Sequence, residues 1–432
     1  MAGETASTEA ATYPRGFSRD TAWKWPMVPV RKLVTLNYGR ALKADTRSPG
    51  KVPVFGTNGR CGWHDTALAK APGLILGRKG QGPLGVEWCD EDFWVIDTAY
   101  YASTVTPDMD LKYLYHLVKY VGLNHLKDGT SNPTLSRDSF GAQLFPLPPL
   151  SEQRAIAAVL GALDDKIELN RRMNGTLESM ARALFQSWFV DFDPVRAKLD
   201  GRQPTGLDPE TAALFPDSFH DSPLGHIPTG WTTIPLYNTA QWVNGAAFKN
   251  EDFCAPGEGL PVIKIGELKD GIGAQTKWCQ RESGADKIID TGDLVYSWSG
   301  SPDTSLAAFL WSGGRGLLNQ HIFKVISETV AEKRYLYYLL QHLRPVLVET
   351  ARNKQTTGLG HVTIADMKRL LVCMANKAVL AAFDRNVAPI FDRAFTNSRQ
   401  SRTLATLRDA LLPKLLSGEL SVAGAESLME HA

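Results

Sequence analysis

Two long stretches of the chain carry apolar side chains at alternating spacings of four and three residues. The first runs from Glu152 to Phe189 without a proline. Its seam residues are Ile156, Leu160, Leu163, Ile167, Asn170, Asn174, Leu177, Ala181, Leu184 and Trp188. The second seam consists of Val387, Ile390, Ala394, Asn397, Ser401, Leu404, Arg408, Leu411 and Leu415. This spacing is typical of helices that pair in a coiled coil.

Both seams become polar near their middle, at Asn170 and Asn397. A lone polar residue in such a seam commonly fixes the partner and the register at some cost in stability. We therefore expect the two helices to pack on each other, antiparallel if a pseudo-twofold axis relates them. The alternative is that each is a long surface helix on its own domain.

The chain also repeats itself, which predicts two copies of one unit. Lys112-Tyr113-Leu114-Tyr115 recurs 222 residues later as Arg334-Tyr335-Leu336-Tyr337. At a shift of 227 residues, Leu177 aligns with Leu404 and Asn170 with Asn397. Each copy is predicted to be a mixed domain followed by a long helix.

The mixed domains contain short apolar runs bounded by glycine and proline, which indicates strands at 52–55, 74–76, 262–265 and 294–296. The fold class is therefore predicted as α+β: two similar mixed α/β domains separated by an antiparallel coiled coil of two long helices, with pseudo-twofold symmetry. The expected ranges are a first domain at 1–150, a first helix at 151–192, a linker rich in proline and glycine at 193–230, a second domain at 231–375, a second helix at 376–418 and a tail at 419–432.

Composition restricts the class of protein. A chain of 432 residues suits two or three domains, and 43% hydrophobic with 22% charged residues is typical of a globular protein. No apolar run is long enough for a membrane span, and the first twenty residues lack the features of a secretory signal. The five cysteines are far apart and never form C-x-x-C, which argues against disulfides and zinc. We expect a cytosolic (cytoplasmic) protein with free thiols.

Charge is distributed unevenly although the net charge is only +1. Ten basic residues and two acidic ones lie between Arg31 and Val86, a local charge of +8. Such a field suits a polyanion, because each neutralised phosphate releases counterions. The alternative is an ordinary solvated basic face. The second half of the chain is nearly balanced.

No catalytic constellation is found in the sequence. The only Pro-Pro pair, Pro148-Pro149, lies between leucines and does not form a base-flipping methyltransferase loop. Residues 77–82 are glycine-rich but lack the phosphate-loop pattern. No Pro-Asp lies on a strand just upstream of Glu267-Leu268-Lys269, so a nuclease motif is not completed there. His321 is interpreted as a structural histidine, and no metal site is predicted.

The first long helix opens with Leu147-Pro148-Pro149-Leu150-Ser151-Glu152-Gln153-Arg154-Ala155-Ile156-Ala157 and closes with the segment 183–195, ALFQSWFVDFDPV. Together these segments resemble the central conserved region of the specificity subunits of type I restriction-modification enzymes. The segments 214–219 and 224–231 are similar to that family as well. The second copy departs from the pattern, since Met374-Ala375-Asn376-Lys377-Ala378 stands where the first has Pro-Pro-Leu-Ser-Glu.

The resemblance implies a sequence-specific, non-catalytic DNA-binding subunit. Each variable domain would be a target-recognition domain for one part of a bipartite, asymmetric site, and the helices would fix the gap. A helix of ~35 residues at ~1.5 Å each spans about 50 Å, more than one turn of DNA. The implied partners are double-stranded DNA, two methyltransferase subunits carrying S-adenosylmethionine, and restriction (motor-nuclease) subunits carrying ATP and Mg²⁺. None of these cofactors is expected on this chain.

Base contacts would come from long polar side chains on loops, and phosphate contacts from lysine and arginine. The candidates are Arg60, Arg78, Lys79, Gln81 and Lys127 in the first copy and Lys249, Lys264, Gln320 and Lys354 in the second. For each of them the alternative is an ordinary surface side chain. Two rival functions stay open: a stand-alone restriction or modification enzyme with two recognition domains, and a scaffold that assembles partners without reading DNA. The methyltransferase subunits would dock on exposed helix faces.

Overall fold

The structure, a computed structural model, describes residues 24–273, 275–280, 284–355 and 359–430. The chain divides into two compact units. The first unit is Met1–Glu168 with Arg402–Ala432, and the second is Leu169–Ser401. Each unit therefore contains one mixed domain and a part of each long helix.

The helices α1 to α11 are Leu111–Val121, Arg137–Gly141, Leu150–Phe189, Asp193–Leu199, Pro209–Ala213, Ile265–Asp270, Pro302–Ser305, Val330–Arg352, Ile364–Arg369, Lys377–Ser417 and Val422–Glu430. The strands β1 to β11 of the first unit are Met27–Pro29, Val34–Tyr38, Val52–Gly56, Gly59–His64, Gly73–Gly77, Val86–Cys89, Trp94–Val95, Ala99–Thr104, Lys127–Asp128, Thr134–Leu135 and Leu144–Pro146. The strands β12 to β26 of the second unit are Phe219–Ser222, Gly225–Pro228, Thr232–Pro235, Gln241–Asn244, Phe253–Cys254, Leu260–Ile263, Trp278–Cys279, Ile288–Ile289, Leu294–Ser297, Ser299–Gly300, Ala307–Leu310, Gly316–Leu318, Ile322–Ile326, Gly360–His361 and Leu371–Met374.

The first unit is organised around a four-stranded antiparallel sheet in the order β2-β8-β5-β6. Helix α1 packs on it through buried side chains that include Tyr113 and Leu117. The Asp110 carboxylate accepts from the backbone N–H of Tyr113 at 2.9 Å, and Gly122 ends the helix with a φ of 71°. An acceptor at the first turn and a left-handed glycine at the end explain these helix limits.

The second unit repeats this plan. Its four-stranded sheet has the order β15-β24-β20-β22, and the pair β14–β26 corresponds to β1–β11. The hydroxyl of Tyr113 donates to the carbonyl of Pro146, and that of Tyr335 donates to the carbonyl of Cys373. The recurring K/R-Y-L-Y sequence therefore has one structural role in both copies. The second unit differs by a longer helix α8 and a five-stranded sheet β16-β18-β17-β23-β19.

The helices α3 and α10 pair antiparallel in both units, as the seam predicts, and none of the seam residues is exposed. In the second unit Asn174 contacts Asn397, while Asn170 contacts Ser401. In the first unit Arg408 bonds to Asp164 at 2.6 Å, and Ile156 lies in the same core as Leu415. Residue numbers rise along one helix as they fall along the other, so the alternative of two unpaired surface helices is wrong.

The opening sequence of α3 has a clear structural role. Gln153 is completely buried, and its amide nitrogen donates to the carbonyls of Asp108 and Pro148, both at 2.8 Å. Its amide oxygen accepts from the N–H of Asp110 at 2.9 Å. A buried amide with its polar atoms bonded fixes the helix start against the loop that precedes α1.

Three details differ from the sequence prediction. The segment 193–230 is not a plain linker, because it contains α4, α5 and the hairpin β12–β13. Several of its apolar side chains, among them Val195 and Phe215, are buried in the core of the second unit. The strand expected at 262–265 ends at Ile263, because helix α6 begins at Ile265. The tail contains helix α11, with Ala425 buried in the core of the first unit.

Candidate nucleic-acid interface

Four of the candidates in the first copy lie in one loop cluster, formed by residues 78–82 and 127–134. Lys79 bridges Thr134, and the N–H of Leu135 donates to the carbonyl of Arg78 at 2.7 Å. These backbone contacts bring Lys127 close to Arg78, Lys79 and Gln81, although Lys127 lies 46 residues after Gln81 in the sequence. Lys127 Nζ donates to the carbonyls of Gly80 and Gly82 at 3.1 and 3.0 Å, and Gln81 Nε2 donates to those of Thr130 and Ser131, both at 2.9 Å.

The polar ends of these four side chains have partners inside the protein. Arg78 donates to the backbone carbonyl of Asp97 at 3.0 Å, and Lys79 Nζ lies 3.1 Å from the Asp97 carboxylate. Lys127 and Gln81 hold their two loops to each other, as described above. The four side chains are therefore held by contacts inside the protein, which limits how far they reach toward a ligand.

Arg60 lies on a different surface feature of the first copy. Its guanidinium group lies 4.8 Å from the ring centroid of Trp63, which is three residues further along β4. Both side chains are exposed, Trp63 to 46%. An exposed arginine on an aromatic ring offers hydrogen-bond donors and a stacking surface, which are the groups that nucleic-acid binding uses.

In the second copy, Lys264 and Gln320 are brought close by the backbone. The N–H of Asn319, next to Gln320, donates to the carbonyl of Ile263, next to Lys264, at 3.1 Å. The Lys264 ammonium also lies 5.6 Å from the Phe253 ring centroid. The N–H of Gln320 donates to the carbonyl of Ala246, close in sequence to Lys249. All three candidate side chains are exposed. Lys249 lies 3.6 Å from Glu251.

Lys354 differs from the other three candidates of the second copy, because its ammonium is bound to a buried carboxylate. Its Nζ lies 2.6 Å from Oδ1 of Asp366, which is 8% exposed. Burial raises the pKa of Asp366, but hydrogen bonds from Lys354 and Thr363 outweigh this effect and lower the pKa to about 2. The pair fixes the end of α8 to α9. The neighbouring candidate loop residues 356–358 lie outside the described residues.

Sequence reasoning missed an exposed arginine–aromatic cluster in the first copy. The guanidinium groups of Arg78 and Arg137 lie 4.8 and 4.7 Å from the ring centroid of Tyr38. Tyr38 is 48% exposed. No sequence pattern singled it out, because the three residues come from three separate elements.

The groups considered for catalysis have structural roles. Glu267 accepts from the N–H of Lys264 at 3.0 Å and from the Thr276 hydroxyl at 3.1 Å, so it caps helix α6. The His321 ring packs on Trp298 at 5.8 Å. Within the described residues, no group of three or more His, Cys, Asp and Glu side chains is arranged to hold a metal ion.

All five cysteines lie in the described part of the chain, and each is free. Two are buried and only Cys61 is exposed. The expectation of free thiols is therefore confirmed. No helix among the described residues combines the length and hydropathy that a membrane crossing requires.

Comparison with known proteins gives the class of the first copy. Residues 23–179 match the family described as "Type I restriction modification DNA specificity domain". The crystal structure of a type I restriction-modification S subunit from M. genitalium shares the fold, with a TM-score of 0.58 at 16% identity, over 94% of this chain and 99% of that chain. The first copy is therefore similar to the DNA specificity domains of type I restriction-modification systems.

Two specificity subunits of known name are similar to this chain over most of its length. The chain is 26% identical over 319 residues to the type I restriction enzyme MjaIX specificity subunit of Methanocaldococcus jannaschii, covering 72% of this chain and 69% of that protein. It is 27% identical over 345 residues to the HindI specificity subunit of Haemophilus influenzae, covering 67% and 71%. The resemblance to the specificity subunits of type I restriction-modification enzymes is thus confirmed.

Proposed function

We propose that this chain is the DNA-reading, non-catalytic subunit of a type I restriction-modification complex, and that it recognises a bipartite, asymmetric site. The observation that carries the proposal is the duplication. One sheet plan occurs twice, each time with a section of the antiparallel helix pair, in a chain whose first copy matches a DNA specificity domain. Two readers with different surface charge suit two different half-sites.

The partners follow from the same proposal. Two methyltransferase subunits dock on exposed faces of α3 and α10 and supply S-adenosylmethionine, and restriction subunits supply ATP and Mg²⁺. This chain binds none of these cofactors itself. The supporting observation is chemical: the one nuclease-like triplet, at 267–269, has its carboxylate engaged as a helix cap.

The test combines the full chain with its cognate methyltransferase subunit and a randomised duplex library. Recovery of a split motif with the partner present supports the proposal, and the same library without the partner measures how far DNA reading depends on assembly. Cleavage or methylation by the chain alone would instead establish a stand-alone enzyme. Assembly of the complex without any sequence enrichment would establish a scaffold. Calorimetry of the chain with S-adenosylmethionine or Mg·ATP is expected to show no binding.

A further inference from the structure

The Tyr38 cluster, which consists of Tyr38, Arg78 and Arg137, is held rigidly although it is partly exposed. Tyr38 packs on Tyr100 with ring centroids 5.2 Å apart, and Tyr100 is only 1% exposed. The Arg78 guanidinium also lies 5.6 Å from the Tyr100 ring. Arg137, the first residue of α2, also lies against the Tyr38 ring and is exposed. The buried Tyr100 ring therefore supports the phenol ring of Tyr38 and the two guanidinium groups that lie against that ring.

The charges of this cluster are not neutralised within the described residues. Arg78 donates to a backbone carbonyl of Asp97, and the carboxylate of Asp97 pairs with Lys79. Neither Arg78 nor Arg137 forms an ion pair with a carboxylate of the described part of the chain. Two guanidinium groups that share one ring repel each other, and an electronegative ligand placed over them would relieve that repulsion. The cluster is thus suited to an electronegative ligand.

The second copy has a cluster at the same place in its sheet. The cross-strand pair Tyr38–Tyr100 corresponds to Asn244–Phe323. Arg78 directly follows β5, and Trp298 directly follows β20. The backbone N–H groups of these two residues form equivalent hydrogen bonds. The N–H of Arg78 donates to the carbonyl of Thr98, and that of Trp298 donates to the carbonyl of His321.

The third position also has an equivalent. Ser136 accepts from the N–H at the third position of α2, and Thr363 does the same for α9. Arg137 and Ile364 are therefore the first residues of two equivalent short helices. Ile364 is 42% exposed.

The chemistry at these equivalent positions differs completely between the copies. In the second copy the Trp298 indole N–H donates to the Asn244 side-chain oxygen at 3.1 Å, and the indole stacks on Phe323 at 5.7 Å. Two cations and a phenol in the first copy are thus replaced by an amide, an indole and an aliphatic side chain. The backbone that presents them is the same.

We propose that this position is the DNA-contacting site of each copy and that its residues make the two half-sites differ. The inference rests on the proposed function. In the first copy Arg137 is the contact residue, and Tyr38 and Arg78 are positioning residues. The guanidinium of Arg137 donates to the oxygen and nitrogen acceptors on the major-groove edge of guanine, a contact that distinguishes base pairs. In the second copy Ile364 and Trp298 provide an apolar contact, which a thymine methyl group accepts.

The experiment uses the full chain with its methyltransferase partner and the duplex that the wild type selects. Arg137→Ala and Arg137→Lys test the first copy, and Ile364→Ala tests the second. Arg202→Ala is the matched control, because Arg202 is 64% exposed and already paired with Asp200 at 2.8 Å. Affinity is measured on the selected duplex, on duplexes changed in one half-site at a time, and over a range of salt concentrations. Thermal melting confirms that each variant is folded.

Arg137→Ala is expected to weaken binding about tenfold or more, whereas Arg202→Ala changes it less than about twofold. Arg137→Ala and Ile364→Ala should alter preference in different half-sites. Arg137→Lys should relax the preference at one base pair, because lysine lacks the bidentate fork. A loss of affinity that is equal on all duplexes and reduces the salt slope by about one would mean a phosphate contact, and Arg137 would then not set the half-site.

Two other results would also overturn the inference and leave the proposed function standing. One is wild-type selection of a split motif with unchanged binding by folded Arg137→Ala. The other is that Arg137→Ala and Ile364→Ala alter the same half-site. A wild-type complex that selects no sequence at all would overturn the proposed function and this inference with it.

Discussion

Basic side chains in the two copies fall into two groups, those that hold loops in place and those that reach solvent. Lys127 and Lys354 occupy similar places in the two copies, and each is bound inside the protein. Lys127 holds the carbonyls of the facing loop, and Lys354 holds the Asp366 carboxylate. An ammonium with such partners loses bonds when it turns to DNA, so its removal should affect stability before it affects affinity.

Lys354→Met tests this distinction. The variant leaves the buried Asp366 carboxylate without its cation, although Thr363 still donates to it. We expect a loss of about 2 kcal/mol in the free energy of unfolding, a value reduced from that of a fully buried pair because Lys354 is 35% exposed. Urea denaturation measures the loss. Lys249→Met, at a site 78% exposed, is the control and should be neutral. A stable Lys354→Met that binds DNA poorly would instead make Lys354 a contact residue.

His116 predicts how stability depends on pH. It is 1% exposed, and its Nδ1 lies 3.7 Å from the Asp164 carboxylate. Burial lowers the pKa of His116 to about 4; Lys112, Lys119 and Arg408 also lower it, and Asp164 opposes them. The ring is therefore neutral at pH 7, and the close carboxylate does not make an ion pair with it.

The sign follows from the folded pKa lying below the unfolded one. Between pH 6.5 and about 4 the unfolded chain takes up a proton that the folded chain refuses, so stability falls as the pH falls. We expect a loss of roughly 2 kcal/mol between about pH 7.5 and about pH 5 from this residue. His116→Gln should remove that share of the pH dependence. Denaturation curves of both proteins at the two pH values measure this share. An equal pH dependence of the free energy of unfolding in the two proteins would contradict the role assigned to His116.

At the scale of elements, the helix pair depends on a polar layer inside an apolar seam. Asn174 Nδ2 donates to the Ser398 hydroxyl at 2.9 Å and to the Ala394 carbonyl at 3.0 Å. Asn397 Nδ2 donates to Asn174 Oδ1 at 2.9 Å. These bonds form in one register only. A shift along the helices would bury the amides without partners, so the layer selects the register and the antiparallel direction.

A double-mutant cycle tests the layer. Asn174→Ala and Asn397→Ala should each cost about 1–2 kcal/mol in the free energy of unfolding, because each leaves the other amide short of a partner. The double variant should cost less than the sum, with a coupling of about 1 kcal/mol. Chemical denaturation of the four proteins gives the coupling. Strict additivity would mean that the two amides act independently and that the apolar seam alone sets the register.

At the scale of the whole molecule, the chain uses one architecture twice and varies its surface. The two sheets share strand order and cross-strand register, and equivalent tyrosines make equivalent bonds. The charge concentrated at 31–86 has no counterpart in the second copy. Duplication keeps the frame while each reader changes independently, which suits the proposed asymmetric site.

If the helices set the gap between the half-sites, their length should determine it. Inserting one heptad into both α3 and α10 beside the polar layer preserves the seam and adds about 10 Å. The selected motif should then keep both half-sites and lengthen its central gap by about three base pairs. Library selection with the full complex reads out the gap. An unchanged gap would show that the helices do not measure it, and insertion into one helix alone is the control for disrupted pairing.

The amino-acid sequence alone was enough to predict the long helices and the duplication, because these depend on local periodicity and on direct repetition. The heptad seams predicted two long helices and their antiparallel pairing, and the shifts of 222 and 227 residues predicted two copies. Both inferences hold because a helix repeats its face every few residues whatever else surrounds it. The opening of α3 carried the family resemblance because it is one unbroken stretch of sequence, although two of the Gln153 bonds go to Asp108 and Asp110, which lie 45 and 43 residues earlier.

The tertiary structure was needed to show which polar side chains form hydrogen bonds inside the protein and which are exposed for contact with a ligand. Lys127 and Gly80 are separated by 47 residues, and the sequence gives no sign that they are bonded. Tyr38, Arg78 and Arg137 come from a strand, a loop and a short helix, and only the sheet brings them together. Proline and glycine marked the boundaries of 193–230 but not the helices and hairpin within it. In each case the partner lies far along the chain, so its identity depends on packing and not on any local pattern.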